Sequence, residues 1–142
     1  MSGCGGDEDA DPPSREDYQA AILRIVEDSA QPTSVYTDLV VERLAAGECE
    51  DLLSRFERQV DELVERVAAL QPPEGVAVIH DEFVAAARES VERVGEARGD
   101  VEAGQLSCGD ELNRTLYGMP SSERADRAIA RLERRGYYVY GN

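Results

Sequence analysis

Residues 49–101 read CEDLLSRFERQVDELVERVAALQPPEGVAVIHDEFVAAARESVERVGEARGDV. In the first half, Leu52, Leu53, Phe56, Val60, Leu63, Val64, Val67 and Leu70 recur at steps of three and four, which places them on one face of an α-helix. Val76, Ile79, Phe83, Ala87, Ser90, Val91 and Val94 form a second such stripe. Between the stripes stand Gln71-Pro72-Pro73. Proline lacks the amide donor and pushes the preceding residue out of the helical region, so neither helix runs through this point. The stretch is expected to form a long antiparallel hairpin, about 49–70 and 75–101.

Composition narrows the rest. The chain has 142 residues, 42% of them hydrophobic, with no Trp and few other aromatics, so its core must be mostly aliphatic, as in helical bundles. The net charge is −15, and all 15 basic residues are arginines. Most of the excess acid lies in the helical body, so no face of it is suited to neutralising phosphates, and nucleic acid is not expected as a partner. An anionic bilayer surface would repel the body for the same reason. No run of apolar residues is long enough to cross a membrane.

The first residues are Met1-Ser2-Gly3-Cys4-Gly5-Gly6, followed by an acidic, proline-containing stretch to Pro13. Ser2-Gly3-Cys4 resembles the small-small-Cys ending of a bacterial lipoprotein signal, in which the Cys is lipidated and becomes the N-terminus. A working export signal carries a charged and an apolar region ahead of that Cys. The expectation is therefore that such a region precedes this sequence in the natural protein and that Cys4 is the lipidation site. Residues 1–13 are expected to be a disordered acidic tether, with 5–13 spanning at most about 30 Å.

Cys49 opens the hairpin, and Cys108 lies just beyond its second helix. An antiparallel arrangement brings these ends together, and a disulfide between them is expected. In the loop-entropy account such a bridge stabilises by roughly 4 kcal/mol. It persists only in an oxidising compartment, in agreement with export.

Around the hairpin, residues 14–142 are expected to form one all-α domain. Ser14 is placed to cap a helix three residues before Asp17. Tyr18, Ile22, Ile25 and Val26, then Tyr36, Leu39, Val40 and Leu44, read as one helix kinked at Pro32 that ends at Ala45-Ala46-Gly47. Gly95 and Gly99 are expected to fray the end of the second hairpin helix. A short helix through Leu112 and Leu116 should start from a Ser107 cap, and a last one should run from Ser122 to Arg135, with Ser121-Ser122 as its cap and Gly136 as its stop. The arginines of that last helix would complement the acidic body. Tyr137-Tyr138-Val139-Tyr140 should cross the bundle as an extended arm. The fold class is thus a small helical bundle built on the hairpin, with a kinked N-terminal helix and short C-terminal helices.

Three features together resemble lipid-anchored helical proteins of GC-rich Gram-positive bacteria: Ser2-Gly3-Cys4, the Leu70-Gln71-Pro72-Pro73 turn followed by His80, and Leu132-Glu133-Arg134-Arg135-Gly136-Tyr137. The resemblance implies a location outside the cell membrane and a helical fold, and no particular reaction.

Candidate chemistry centres on His80, the only histidine. Its helical neighbours Val76, Ala77, Phe83 and Val84 are not metal ligands, and a di-metal carboxylate bundle would need Glu where Ala77 stands. His80 is expected at the edge of the core, giving a ring N–H to a carbonyl or carboxylate of a neighbouring helix. The carboxylates Glu89, Glu92 and Glu96, and Asp61 with Glu65, are interleaved with Arg58, Arg66, Arg88 and Arg93 at ion-pair spacing, so they read as solvated faces. No phosphate-binding loop, calcium loop or nucleophile elbow occurs. The function expected is that of an extracytoplasmic interaction module for a protein partner, with no catalysis, cofactor or metal. The alternative is a sensor that binds a small molecule or metal between helices near His80, with Tyr18 or Tyr36.

Overall fold

The computed structural model describes residues 14–41 and 44–139. The lipidation residue Cys4, the tether and Tyr140 lie outside the described residues. The helices are α1 (Arg15–Asp28), α2 (Ala30–Val41), α3 (Ala46–Ala68), α4 (Ala77–Glu102), α5 (Asp110–Tyr117) and α6 (Pro120–Arg134), with a 3-10 turn at Glu74–Val76 before α4. Among the described residues there is no strand. The fold is a small all-α bundle.

α1 and α2 are two segments of one bent helix. Ser14 Oγ accepts from the Asp17 amide at 3.0 Å and caps the first segment. The bend falls at Ser29, upstream of Pro32. The proline has no amide for the Asp28 carbonyl four residues before it, and its ring crowds that carbonyl, so regular helix fails there and resumes with Pro32 in the first turn of α2. Ser29 stabilises the bend by donating both its amide and its hydroxyl to the Val26 carbonyl, at 3.0 and 2.6 Å.

The hairpin is α3 and α4. α3 begins at Ala46, earlier than the stripe indicates, because the Glu48 carboxylate accepts the Ala45 amide at 3.2 Å and Ala46-Gly47 thereby serves as its first turn. α4 packs against α3 on one side and α6 on the other. This explains why it buries Val84, Ala86, Ala97 and Val101 as well as the stripe residues Ile79, Ala87 and Val94. The expected fraying at Gly95 and Gly99 does not occur; α4 is continuous to Glu102. Gly95 leaves room for the Glu57 carboxylate of α3, and Arg98 joins Glu57 at 2.7 Å and Glu102 at 3.0 Å across the weak segment.

α4 passes through two hydrophobic clusters. At its start, Ile79 joins Tyr18 and Ile22 of α1, Ala128, Ile129 and Leu132 of α6, and Tyr137 and Val139. Towards its end, Val94, Ala97 and Val101 join Val35 and Leu39 of α2, Cys49 and Leu53 of α3, and Leu112 and Leu116 of α5. Cys49 and Cys108 are bonded in this second cluster, with Cα atoms 6.0 Å apart. The bridge ties the start of α3 to the loop before α5.

Two further helix ends depart from expectation. Gly109, not Ser107, precedes α5; its φ of 97° is left-handed, which favours glycine, and its amide donates to the Leu39 carbonyl at 2.8 Å. Ser107 instead donates its amide and hydroxyl to the Glu111 carboxylate, at 2.8 and 2.9 Å. α6 begins at Pro120, a residue pre-set for the first helical position. Ser121 is therefore inside the helix, buried and hydrogen-bonded to the Ser90 hydroxyl at 2.8 Å rather than capping. The far end of α6 stops at Gly136 as expected: its amide bonds the Glu133 carbonyl and that of Tyr137 bonds the Leu132 carbonyl, closing the last turn.

Candidate functional site

Tyr18 is the fourth residue of α1 and His80 the fourth of α4, and both are buried. The Tyr18 hydroxyl and His80 Nδ1 are 2.7 Å apart, with the rings edge to face. Burial holds the His80 pKa below its ordinary value, a shift that the nearby Asp81 charge only partly opposes. Burial also raises the Tyr18 pKa, with Tyr137 and Asp81 adding to the effect. Both groups are therefore neutral at neutral pH. One of the two donates to the other, so in either tautomer of the ring the pair keeps one hydrogen-bond donor and one acceptor unspent. This corrects the expected partner of His80: among the described residues its ring is bonded to a phenol, not to a carbonyl or carboxylate.

These two rings line a cavity of about 250 Å³. Its other walls are apolar: Ile22, Ile25 and Val26 of α1, Leu63, Val64 and Val67 of α3, Phe83 of α4, Ile129 and Leu132 of α6, and Val139. Ser29 also borders it, but its hydroxyl is engaged by Val26. No charged side chain lines the space.

The segment after α6 closes one side. Tyr137 and Val139 are buried while Tyr138 between them is exposed, the alternation of an extended chain. Gln19 of α1 holds it, donating to the Tyr138 carbonyl at 2.6 Å and accepting the Tyr138 amide at 2.7 Å. The Arg15 guanidinium lies over the Tyr137 ring, 4.6 Å from its centroid, and donates to the Arg135 carbonyl at 2.9 Å. Tyr137 in turn stacks edge-on against Tyr18.

Of the three candidate ligand-binding residues, the structure joins His80 with Tyr18 and not with Tyr36. Tyr36 points into the second cluster, where it donates to Asn113 Oδ1 at 2.7 Å and packs on Phe56. There it borders a shallower groove of about 460 Å³ whose walls include Val60, Leu116 and Met119, with Tyr117 81% exposed at its edge. The sequence reading missed Phe83, Val64 and Val67 as cavity walls; they were legible only as stripe residues.

Many carboxylates are paired. Arg88 grips Glu65 through two hydrogen bonds, Arg66 meets Asp28, and Arg93 meets Glu96. From α6, Arg124 pairs with Glu89 and Arg131 with Glu82, so the arginine-rich helix does face acids of α4. Among the described residues no three His, Cys, Asp or Glu side chains converge in a way that could hold a metal ion. No described helix is long and apolar enough to cross a membrane. Comparison with known proteins found no matching family model, no similar curated protein and no similar solved structure.

Proposed function

We propose that the chain is the body of an extracytoplasmic lipoprotein, anchored through Cys4, that binds a small apolar molecule between α1, α3, α4 and α6 and carries out no chemistry on it. The observation that carries this reading is the cavity of about 250 Å³ beside the Tyr18–His80 pair. Protein interiors leave few voids larger than a water molecule. Apolar walls left facing such a space forgo the burial, worth about 25 cal/mol per Å², that a bound apolar body would supply. A ligand that fills it recovers the lost contacts. The location is supported by Ser2-Gly3-Cys4 and by the Cys49–Cys108 bridge, a bond suited to an oxidising compartment.

Binding is tested by adding toluene to the isotopically labelled chain and following methyl resonances. Saturable shifts confined to Ile22, Val64, Ile129 and their neighbours support the reading, and spectra unchanged by toluene and by 1-octanol alike, up to their solubility limits, reject it. The anchor is tested by the intact mass of protein made from its full locus in the native host; a diacylglyceryl adduct on Cys4 is expected, and an unlipidated chain removes the location.

A second reading, a docking module for a protein partner, is favoured by the groove beside Tyr36 and Phe56 and by the exposed Tyr117 at its edge. It predicts that a photo-crosslinker at position 117 gives one defined adduct in the native host, and that a crosslinker at exposed Val78 gives none.

A further inference from the structure

We infer that the ligand of the Tyr18–His80 cavity is an uncharged alcohol or phenol of about ten non-hydrogen atoms, held with its hydroxyl on the Tyr18–His80 pair and its hydrocarbon body between α1, α3 and α6. This rests on the cavity being a binding site, and adds what the site selects.

Size follows from volume. An apolar cavity of about 150 Å³ accepts benzene, so one of about 250 Å³ takes a molecule larger in proportion, about ten non-hydrogen atoms.

Charge follows from the walls. No carboxylate, guanidinium or other charged side chain faces the space. A carboxylate or ammonium entering it would leave water with nothing of opposite sign to meet, and a buried unpaired charge is among the most costly arrangements a protein can hold. The anion meets a further obstacle in Asp81, next in sequence to His80 and close enough to act on its charge.

The hydroxyl follows from the polar pair. In either tautomer of His80 the Tyr18–His80 bond spends one donor, and the pair keeps one group that accepts and one that donates, on the Tyr18 oxygen and Nε2. Among the described residues the ring of His80 has no other hydrogen-bond partner than Tyr18. A hydroxyl can donate to the first group or accept from the second. A purely apolar guest would satisfy neither, and a carbonyl could meet only the second.

The test is calorimetric titration of the full chain near neutral pH with four probes: toluene, 1-octanol, octanoate and octylammonium. Octanol is expected to bind at one site, with octanoate and octylammonium at least about tenfold weaker. Tyr18→Phe should weaken octanol by about fivefold to tenfold and leave toluene unchanged. His80→Gln, checked for an intact melting transition, provides a second variant and should weaken octanol in the same selective way. Octanoate or octylammonium binding as tightly as octanol overturns the neutral class while the cavity remains a site. Octanol affinity unchanged in both variants overturns the placement of the hydroxyl. Failure of toluene and octanol alike removes the site itself, and this inference with it.

Discussion

Tyr18 and His80, 62 residues apart in sequence, share a buried hydrogen bond of 2.7 Å that links the N-terminal helix to the start of the second hairpin helix. The bond suits a neutral imidazole and a neutral phenol, and this has a consequence for stability.

Because burial lowers the His80 pKa in the folded state from its ordinary 6.5, the unfolded chain takes up a proton in a range where the folded chain resists it. The stabilisation from neutral His80 is complete above the unfolded pKa and declines as pH falls below it towards the lower folded value. Between about pH 7.5 and about pH 5 the melting temperature of His80→Gln should therefore change differently from that of the native chain, which carries an additional acid-side loss. Glu65 and Glu111, whose pKa values are lowered from 4.5 by Arg88 and by Ser107 respectively, act only below that window. Parallel melting profiles for the two proteins would contradict the assignment.

The Cys49–Cys108 bridge encloses α3 from Cys49 onward and the whole of α4. Replacing both cysteines by serine should lower unfolding free energy by roughly 3–4 kcal/mol, read from urea denaturation. Amide exchange should accelerate most in α2 and α5, whose buried residues Leu39 and Leu112 share the cluster of Cys49. Equal denaturation midpoints with and without the bridge would show that it carries no stabilising load.

Gln19 holds the C-terminal segment through two hydrogen bonds to the backbone of Tyr138. Gln19→Ala should release it, with exchange of the Tyr138 amide accelerating and a loss of about 1–2 kcal/mol at most, since these bonds are exposed to water. Val139 borders the cavity, so the same variant should speed both entry and exit of a bound guest. Unchanged Tyr138 exchange would show that burial of Tyr137 and Val139 suffices to hold the segment.

The hairpin was legible because Leu53, Val64, Ile79 and Val94 repeat at helical spacing and Pro72-Pro73 marks the turn; burial at these positions follows directly from the pattern. The cysteine pairing followed from that turn. Periodicity fixes which face of a helix is buried but not how that face is rotated or shifted against a helix distant in sequence, so it offered both Tyr18 and Tyr36 as partners of His80. The bend at Ser29, set by Pro32, carries α2 away to the other cluster and leaves only Tyr18 in reach. The cavity was illegible for a related reason: a void is a deficit of volume shared by several helices, and no single stripe records it. Helix ends were misjudged where tertiary contacts outweighed local preference, as with Ser121, which bonds Ser90 instead of capping, and Gly95, where the Arg98–Glu57 pair spans the weak point.

The most direct measurement of the central claim is a crystal structure of the full chain under xenon pressure, since xenon enters dry apolar cavities large enough to hold it. The account predicts xenon density bounded by Ile22, Val64, Phe83 and Ile129, beside an unbroken Tyr18–His80 hydrogen bond. A site closed by these side chains packing against one another, with no xenon between them, would contradict it.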